Sequence, residues 1–133
     1  MNYSRIVLFS VGIYLLLVTA SAIATMVVGS DEAIKSTAFI VTLHFLGFVL
    51  SLLMYLYLAY KQAFKPYQHA VYVAFLYWLI SFGGSLLIDI FLEVPFEPLV
   101  FLFPILLNVI AVLLGTLLGI QLRQKIGIGV NAI

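Results

Sequence analysis

Six polar residues in otherwise apolar segments are the candidates for chemistry in this chain. Asp89 follows a long segment without charged residues, and His44 and Asn108 lie within two other such segments. An imidazole and a carboxylate within hydrogen-bond reach favour the charged pair, which is one way to build a proton-linked site. We expect these polar residues to reach similar depths in neighbouring helices and to line a small pocket. The candidate set is Ser21, Thr25, His44, Ser85, Asp89 and Asn108.

The acidic residues also have a simpler interpretation, in which they mark where a helix leaves a membrane. Asp89, Glu93 and Glu97 follow one another at intervals of four residues. A helix that enters the hydrocarbon near residue 70 rises about 1.5 Å per residue, so Asp89 reaches the far boundary. A carboxylate at that depth anchors the helix at less cost than one at the bilayer centre. Both interpretations of Asp89 stay open, whereas Glu93 and Glu97 are expected to be hydrated.

No pattern predicts catalysis, a metal site or a cofactor. Cysteine is absent, which excludes disulfides and thiolate ligands. His69 is predicted to lie across most of the membrane from His44, so one ion or haem could not bind both. The serines have no sequence context for an activated nucleophile. We therefore expect no enzyme activity, and a single hydrogen bond that fixes helix packing is the simpler role for His44.

Composition predicts an integral membrane protein. The chain has 133 residues, of which 65% are hydrophobic and 8% are charged, whereas soluble domains carry about 25% charged residues. A net charge of +1 provides no surface for a nucleic acid. Four segments lack Asp, Glu, Lys and Arg, and each can cross a hydrocarbon core of about 30 Å as a helix. The predicted helices lie near residues 6–28, 38–60, 70–93 and 99–122.

The distribution of charge predicts the orientation of these helices. Basic residues cluster at the N-terminus, in the second loop and in the C-terminal tail, whereas Lys35 is the one basic residue elsewhere. By the positive-inside rule, both termini are expected in the cytoplasm and the protein in the plasma or inner membrane. The clustered residues are Arg5, Lys61, Lys65, Arg123 and Lys125.

Aromatic residues near the same boundary have two interpretations. An interfacial belt is the favoured one, because amphipathic rings prefer the headgroup level. A cavity for a lipid, a quinone or a hydrophobic drug is the other. The residues concerned are Tyr55, Tyr57, Tyr60, Phe64, Tyr67, Tyr72, Phe75 and Trp78.

The first apolar segment has an alternative interpretation as a signal peptide. Arg5, the apolar run at 6–18 and the small residues at 19–24 match the three regions of such a peptide. The apolar run continues to Val28, however, which is long for a cleaved segment. We expect it to remain as the first helix; its removal would leave three spans.

Small residues predict where the helices pack, because small side chains let helix backbones approach in lipid. Gly115 and Gly119 form a GxxxG pair, which marks either an internal helix contact or a homodimer seam. Gly83 and Gly84 indicate either close approach or a local bend. The predicted packing residues are Gly47, Ser51, Gly83, Gly84, Gly115 and Gly119.

The predicted fold is all-α: one four-helix membrane bundle with antiparallel up-down topology. Because all three loops are short, sequential helices are expected to be antiparallel neighbours. Two functions fit this fold. The first is a non-catalytic membrane component, either a homo-oligomer or an accessory subunit that binds other membrane subunits. The second is a small transporter or channel, proton-coupled through His44, Asp89 and Asn108. The lipid bilayer is the expected environment in both cases.

Overall fold

A computed structural model describes residues 3–29, 36–92 and 98–126, except for the side chains at 88, 89, 92 and 98–101. Four helices account for almost all of this part, and all four are long and apolar enough to cross a membrane. The prediction of an all-α chain with four apolar helices is confirmed. The helices are α1 Tyr3–Val28, α2 Thr37–Lys61, α3 Pro66–Leu92 and α4 Pro98–Ile126.

Local sequence explains where the described helices begin and end. The Ser36 side chain accepts a hydrogen bond from the backbone N–H of Phe39, which caps α2. Gly29 follows α1 with a φ of 92°, a left-handed conformation that glycine adopts without strain. The third helix begins at Pro66, earlier than the predicted residue 70, because proline suits the first helical turn, where no N–H bond is needed.

The four helices form a ring in which the neighbours follow the order α1, α2, α4, α3. The most extensive contact joins α2 and α4, whereas α2 and α3 touch only slightly. Within the described part of the chain, α1 and α4 make no contact. The expectation that sequential helices are neighbours therefore holds for α1–α2 and α3–α4, but α2 and α3 lie diagonally. The physical reason lies in the α2–α4 contact, where Gly115 and Gly119 let the two backbones approach closely.

Glycine makes that close approach between α2 and α4. A Cβ added at Gly115 would lie 2.6 Å from the carbonyl oxygen of Leu52. One added at Gly119 would overlap the carbonyl oxygen of Leu56 and lie 2.8 Å from the Ala59 Cβ. The GxxxG pair thus lies inside the chain's own α2–α4 contact.

The other predicted packing residues have different surroundings. Ser51 is buried. A Cβ at Gly84 would meet the hydroxyl of Tyr14 at 3.2 Å, and one at Gly47 would meet Leu17 at an ordinary 3.8 Å. Gly83 has no described atom within 4 Å of such a Cβ, so it makes no close approach inside the described bundle.

Candidate functional site

A cleft of about 180 Å³ lies between the four helices, nearer the ends where α1 finishes and α2 begins. Every helix contributes a polar side chain to its wall, and apolar residues such as Leu17 and Phe48 fill the space between them. Such a mixture, mostly apolar with a few polar groups that fix orientation, is typical of small-molecule sites. The polar lining residues are Ser21 of α1, His44 and Ser51 of α2, Tyr77 of α3 and Asn108 of α4.

Helix α2 contributes the longest continuous part of this wall. His44, Gly47 and Ser51 all line the cleft, as their spacing of three and four residues places them on one helical face. Gly47 has no side chain, so the space between the imidazole and the hydroxyl stays open. The same sequence pattern that indicates helix packing therefore also shapes the cleft.

The hydrogen bond of His44 fixes which ring nitrogen remains available. Its Nδ1 lies 2.7 Å from the carbonyl oxygen of Ile40, one turn earlier in α2. A carbonyl only accepts, so Nδ1 carries the hydrogen and Nε2 is an acceptor in the neutral ring. The ring also lies 5.6 Å from that of Phe103 on α4, measured between centroids. This bond lies within α2. The simpler role expected for His44, a hydrogen bond that fixes helix packing, needs a partner on another helix.

Asn108 Oδ1 is buried and has no hydrogen-bond partner among the described residues. Tyr55 does not line the cleft but is fully buried, at 0% exposure, and its hydroxyl interacts with the Asn108 side chain. Buried polar atoms in folded proteins are nearly always paired. Asn108 Oδ1 therefore has accepting capacity that the described side chains leave unused.

Tyr55 corrects one sequence-based expectation and adds a residue that the candidate set lacked. The sequence predicts it in an interfacial belt, but it lies in the core, whereas Tyr57, Tyr67 and Tyr72 are exposed. The signal was present in the sequence: Tyr55 continues the spacing of Ser51 on the inward face of α2. The cluster of aromatic residues near the membrane boundary suggested a belt, although the helical periodicity of α2 already indicated an inward position for Tyr55.

The predicted site residues divide into three groups. Ser21, His44 and Asn108 line one cleft. Thr25 and Ser85 do not line it, and the Thr25 hydroxyl donates to the Ser21 carbonyl oxygen at 2.9 Å within α1. The Asp89 side chain lies outside the described residues, as do Glu93 and Glu97, so the pairing of His44 with Asp89 stays a prediction.

An apolar groove of about 290 Å³ lies between α3 and α4. Phe75 and Trp78 line it from α3, while Val109 and Val112 line it from α4. Among the described lining residues, Asn108 is the only one with an amide or hydroxyl group. Asn108 also lines the polar cleft, so the two spaces share one residue.

Basic residues gather where α2 ends. The guanidinium of Arg123 donates to the carbonyl oxygens of Ala59 and Gln62, and Arg5 donates to the Gln62 side chain at 3.1 Å. A cation at a helix C-terminus satisfies free carbonyls and complements the helix dipole. His69 is buried in α3 near this end and is not among the cleft residues.

The described residues contain no group of three or more His, Cys, Asp or Glu arranged to hold a metal ion. Comparison with protein-family models, curated proteins and solved structures finds no significant match to this chain.

Proposed function

We propose that this chain is a small transporter or channel of the cell membrane, with four antiparallel spans and both termini in the cytoplasm. The contact of Arg5 with Gln62 brings the start of α1 to the end of α2, which suits helices of alternating direction. Basic residues share that end of the bundle, as expected for the cytoplasmic side.

The polar cleft is the observation that carries this proposal. Polar and ionisable side chains inside transmembrane helices are costly, and they often mark the path of a solute or a proton. Here all four helices contribute one at a similar depth. His44 lines this cleft with Nε2 as an acceptor, and an imidazole is a common proton carrier in proton-coupled transporters.

The absence of cysteine makes a direct accessibility test available. Ser21→Cys places a single thiol at a partly exposed position of the cleft, and Ser10→Cys places a matched thiol in the fully buried α1–α3 contact. In proteoliposomes, we expect a small water-soluble thiol reagent to modify the first variant and leave the second unmodified. Equal protection of both thiols would contradict a water-accessible cleft.

Flux measurements test the proton coupling. Under an imposed pH gradient, we expect His44→Ala and Asp89→Asn to reduce proton-coupled flux in liposomes, and Thr42→Ala to leave it unchanged. Thr42 is the matched control because its exposed hydroxyl bonds only within α2, to the Ala38 carbonyl. If both substitutions leave every transport activity intact, the transporter proposal is wrong.

A non-catalytic role, as an oligomer or an accessory subunit, is the second candidate. Gly12 and Gly83 have no described atom within 4 Å of an added Cβ, so each leaves room for a helix from another chain. Purification in mild detergent tests this role. Stoichiometric partners or a stable homo-oligomer that Gly83→Leu disrupts would support it, and a monomer without partners would exclude it.

A further inference from the structure

We infer that the cleft and the α3–α4 groove form one binding site for a single-chain amphiphile with an uncharged hydroxyl headgroup. The headgroup occupies the cleft beside Asn108, and the alkyl chain occupies the groove. This inference rests on the proposed function, because it names the class of solute that the cleft would bind.

Adjacent residues on two helices connect the two spaces. On α3, Tyr77 lines the cleft and its neighbour Trp78 lines the groove. On α4, Leu107 lines the cleft, Val109 lines the groove, and Asn108 between them lines both. A molecule that passes between α3 and α4 at this level therefore has an apolar wall on one side of Asn108 and a polar wall on the other.

The chemistry of the headgroup follows from the buried atom that lacks a partner. Asn108 Oδ1 only accepts hydrogen bonds. A headgroup hydroxyl beside it can donate to Oδ1 and so satisfy this atom. Nε2 of His44 is a further acceptor on the same cleft.

A charged acidic headgroup fits the cleft less well. Among its described lining residues, none is a lysine or an arginine. A buried carboxylate or phosphate without a cationic partner is strongly destabilised. The site should therefore prefer a long-chain alcohol to a fatty acid of the same length.

The groove supplies the apolar half of the site. Phe75 is 58% exposed and Val71 is 55% exposed, so this wall of α3 faces the surroundings of the bundle, which for a membrane protein are lipid chains. An alkyl chain can lie along these side chains while its hydroxyl reaches inward to Asn108. The apolar lining explains why the chain stays in the groove rather than in the polar cleft.

Photocrosslinking in proteoliposomes tests the inference directly. The probe is a dodecanol that carries a diazirine near the end of its chain, and mass spectrometry locates the adduct. We expect adducts on α3 and α4 residues that line the groove, competed by unlabelled dodecanol and not by dodecanoic acid. This comparison uses the unmodified protein, so it does not depend on whether a variant folds.

Three variants then assign the two halves of the site. Ala74→Trp fills the groove and should abolish the adduct, whereas the matched control Ala22→Trp, at an exposed position of α1, should not. Asn108→Leu keeps the side-chain size but removes the acceptor, and should weaken dodecanol competition about five-fold, as expected for one hydrogen bond. Far-UV circular dichroism and size-exclusion chromatography establish that each variant is folded.

The outcomes separate this inference from the proposed function. Equal competition by dodecanol and dodecanoic acid, or competition by dodecanol that is unchanged in Asn108→Leu, overturns the hydroxyl-headgroup assignment. Adducts scattered over all four helices overturn the groove. Either result can occur while the thiol at position 21 remains accessible in Ser21→Cys, in which case the transporter proposal stands and only its solute class is wrong.

Discussion

Gly115 and Gly119 lie in the close contact between α2 and α4, so a side chain added at either position should destabilise the fold. A methyl group at Gly115 would lie 2.6 Å from the Leu52 carbonyl oxygen and 3.0 Å from the Tyr55 Cβ, whereas ordinary contact begins at 3.4 Å. The methyl at Gly119 meets backbone as well, at Leu56. Because backbone atoms in a helix cannot rotate away, the two helices must separate by several tenths of an ångström.

The size of the effect follows from two opposing contributions. Overpacking of this kind typically costs about 1–3 kcal/mol. Alanine is also a better helix former than glycine by up to about 1 kcal/mol. We therefore expect Gly119→Ala to lower the free energy of unfolding by about 1–2 kcal/mol. Gly115→Ala and Gly119→Ala together should cost less than the sum, because one separation of α2 and α4 relieves both clashes.

Gly83→Ala is the matched control. It adds the same methyl group to an apolar helix, but no described atom lies within 4 Å of it, so stability should stay equal or rise slightly. Reversible unfolding in mixed detergent micelles, followed by far-UV circular dichroism, measures the difference between the variants. If Gly119→Ala and Gly83→Ala unfold at the same denaturant fraction, the close α2–α4 approach is wrong. A loss of dimer cross-linking without a change in monomer stability would instead place the GxxxG pair between two copies.

Three further predictions concern single contacts, each measured by the same unfolding experiment. Ser10→Ala removes a hydroxyl whose one hydrogen is shared between the Ile6 carbonyl oxygen in α1 at 2.8 Å and the Val73 carbonyl oxygen in α3 at 3.1 Å, and should cost about 0.6–1.7 kcal/mol; Thr42→Ala, whose hydroxyl bonds its own helix, should cost less. Arg123→Met removes the cation from the end of α2 and should cost about 0.5–2 kcal/mol, while Lys125→Met at an exposed position should change little; equal losses would contradict the capping role. Gly29→Ala should cost about 1–2 kcal/mol because the φ of 92° strains any side chain, and an unchanged stability would show that α1 ends differently.

Part of the candidate site was predictable from helical spacing. His44, Gly47 and Ser51 share a face by sequence alone, and the structure places all three on one cleft. Ser21 of α1 and Asn108 of α4 reach the same cleft because both helices are neighbours of α2 and bring similar depths to it. Depth along a helix is a local property, so the sequence predicts it well.

The rest of the site depends on helix rotation and on which helices are neighbours. Thr25 and Ser85 have a suitable depth but lie outside the cleft lining. Tyr55 lies near a predicted boundary yet turns inward and is fully buried. Trp78 lines the groove instead of the cleft, although Tyr77 beside it lines the cleft. A rotation of one residue, about 100° around the helix, separates Tyr77 from Trp78, whereas Thr25 lies one turn beyond Ser21 on the same face of α1.

Four apolar helices follow from the amino-acid pattern, because long segments without charge must satisfy their own backbone groups and can do so as helices in lipid. The pairing of α2 with α4, diagonal to α3, follows instead from three-dimensional packing. That choice depends on backbone distances of a few ångströms at Gly115 and Gly119, which a one-dimensional pattern of small residues does not specify. Helix packing also sets which spaces a side chain borders, and it places Asn108 between the polar cleft and the apolar groove.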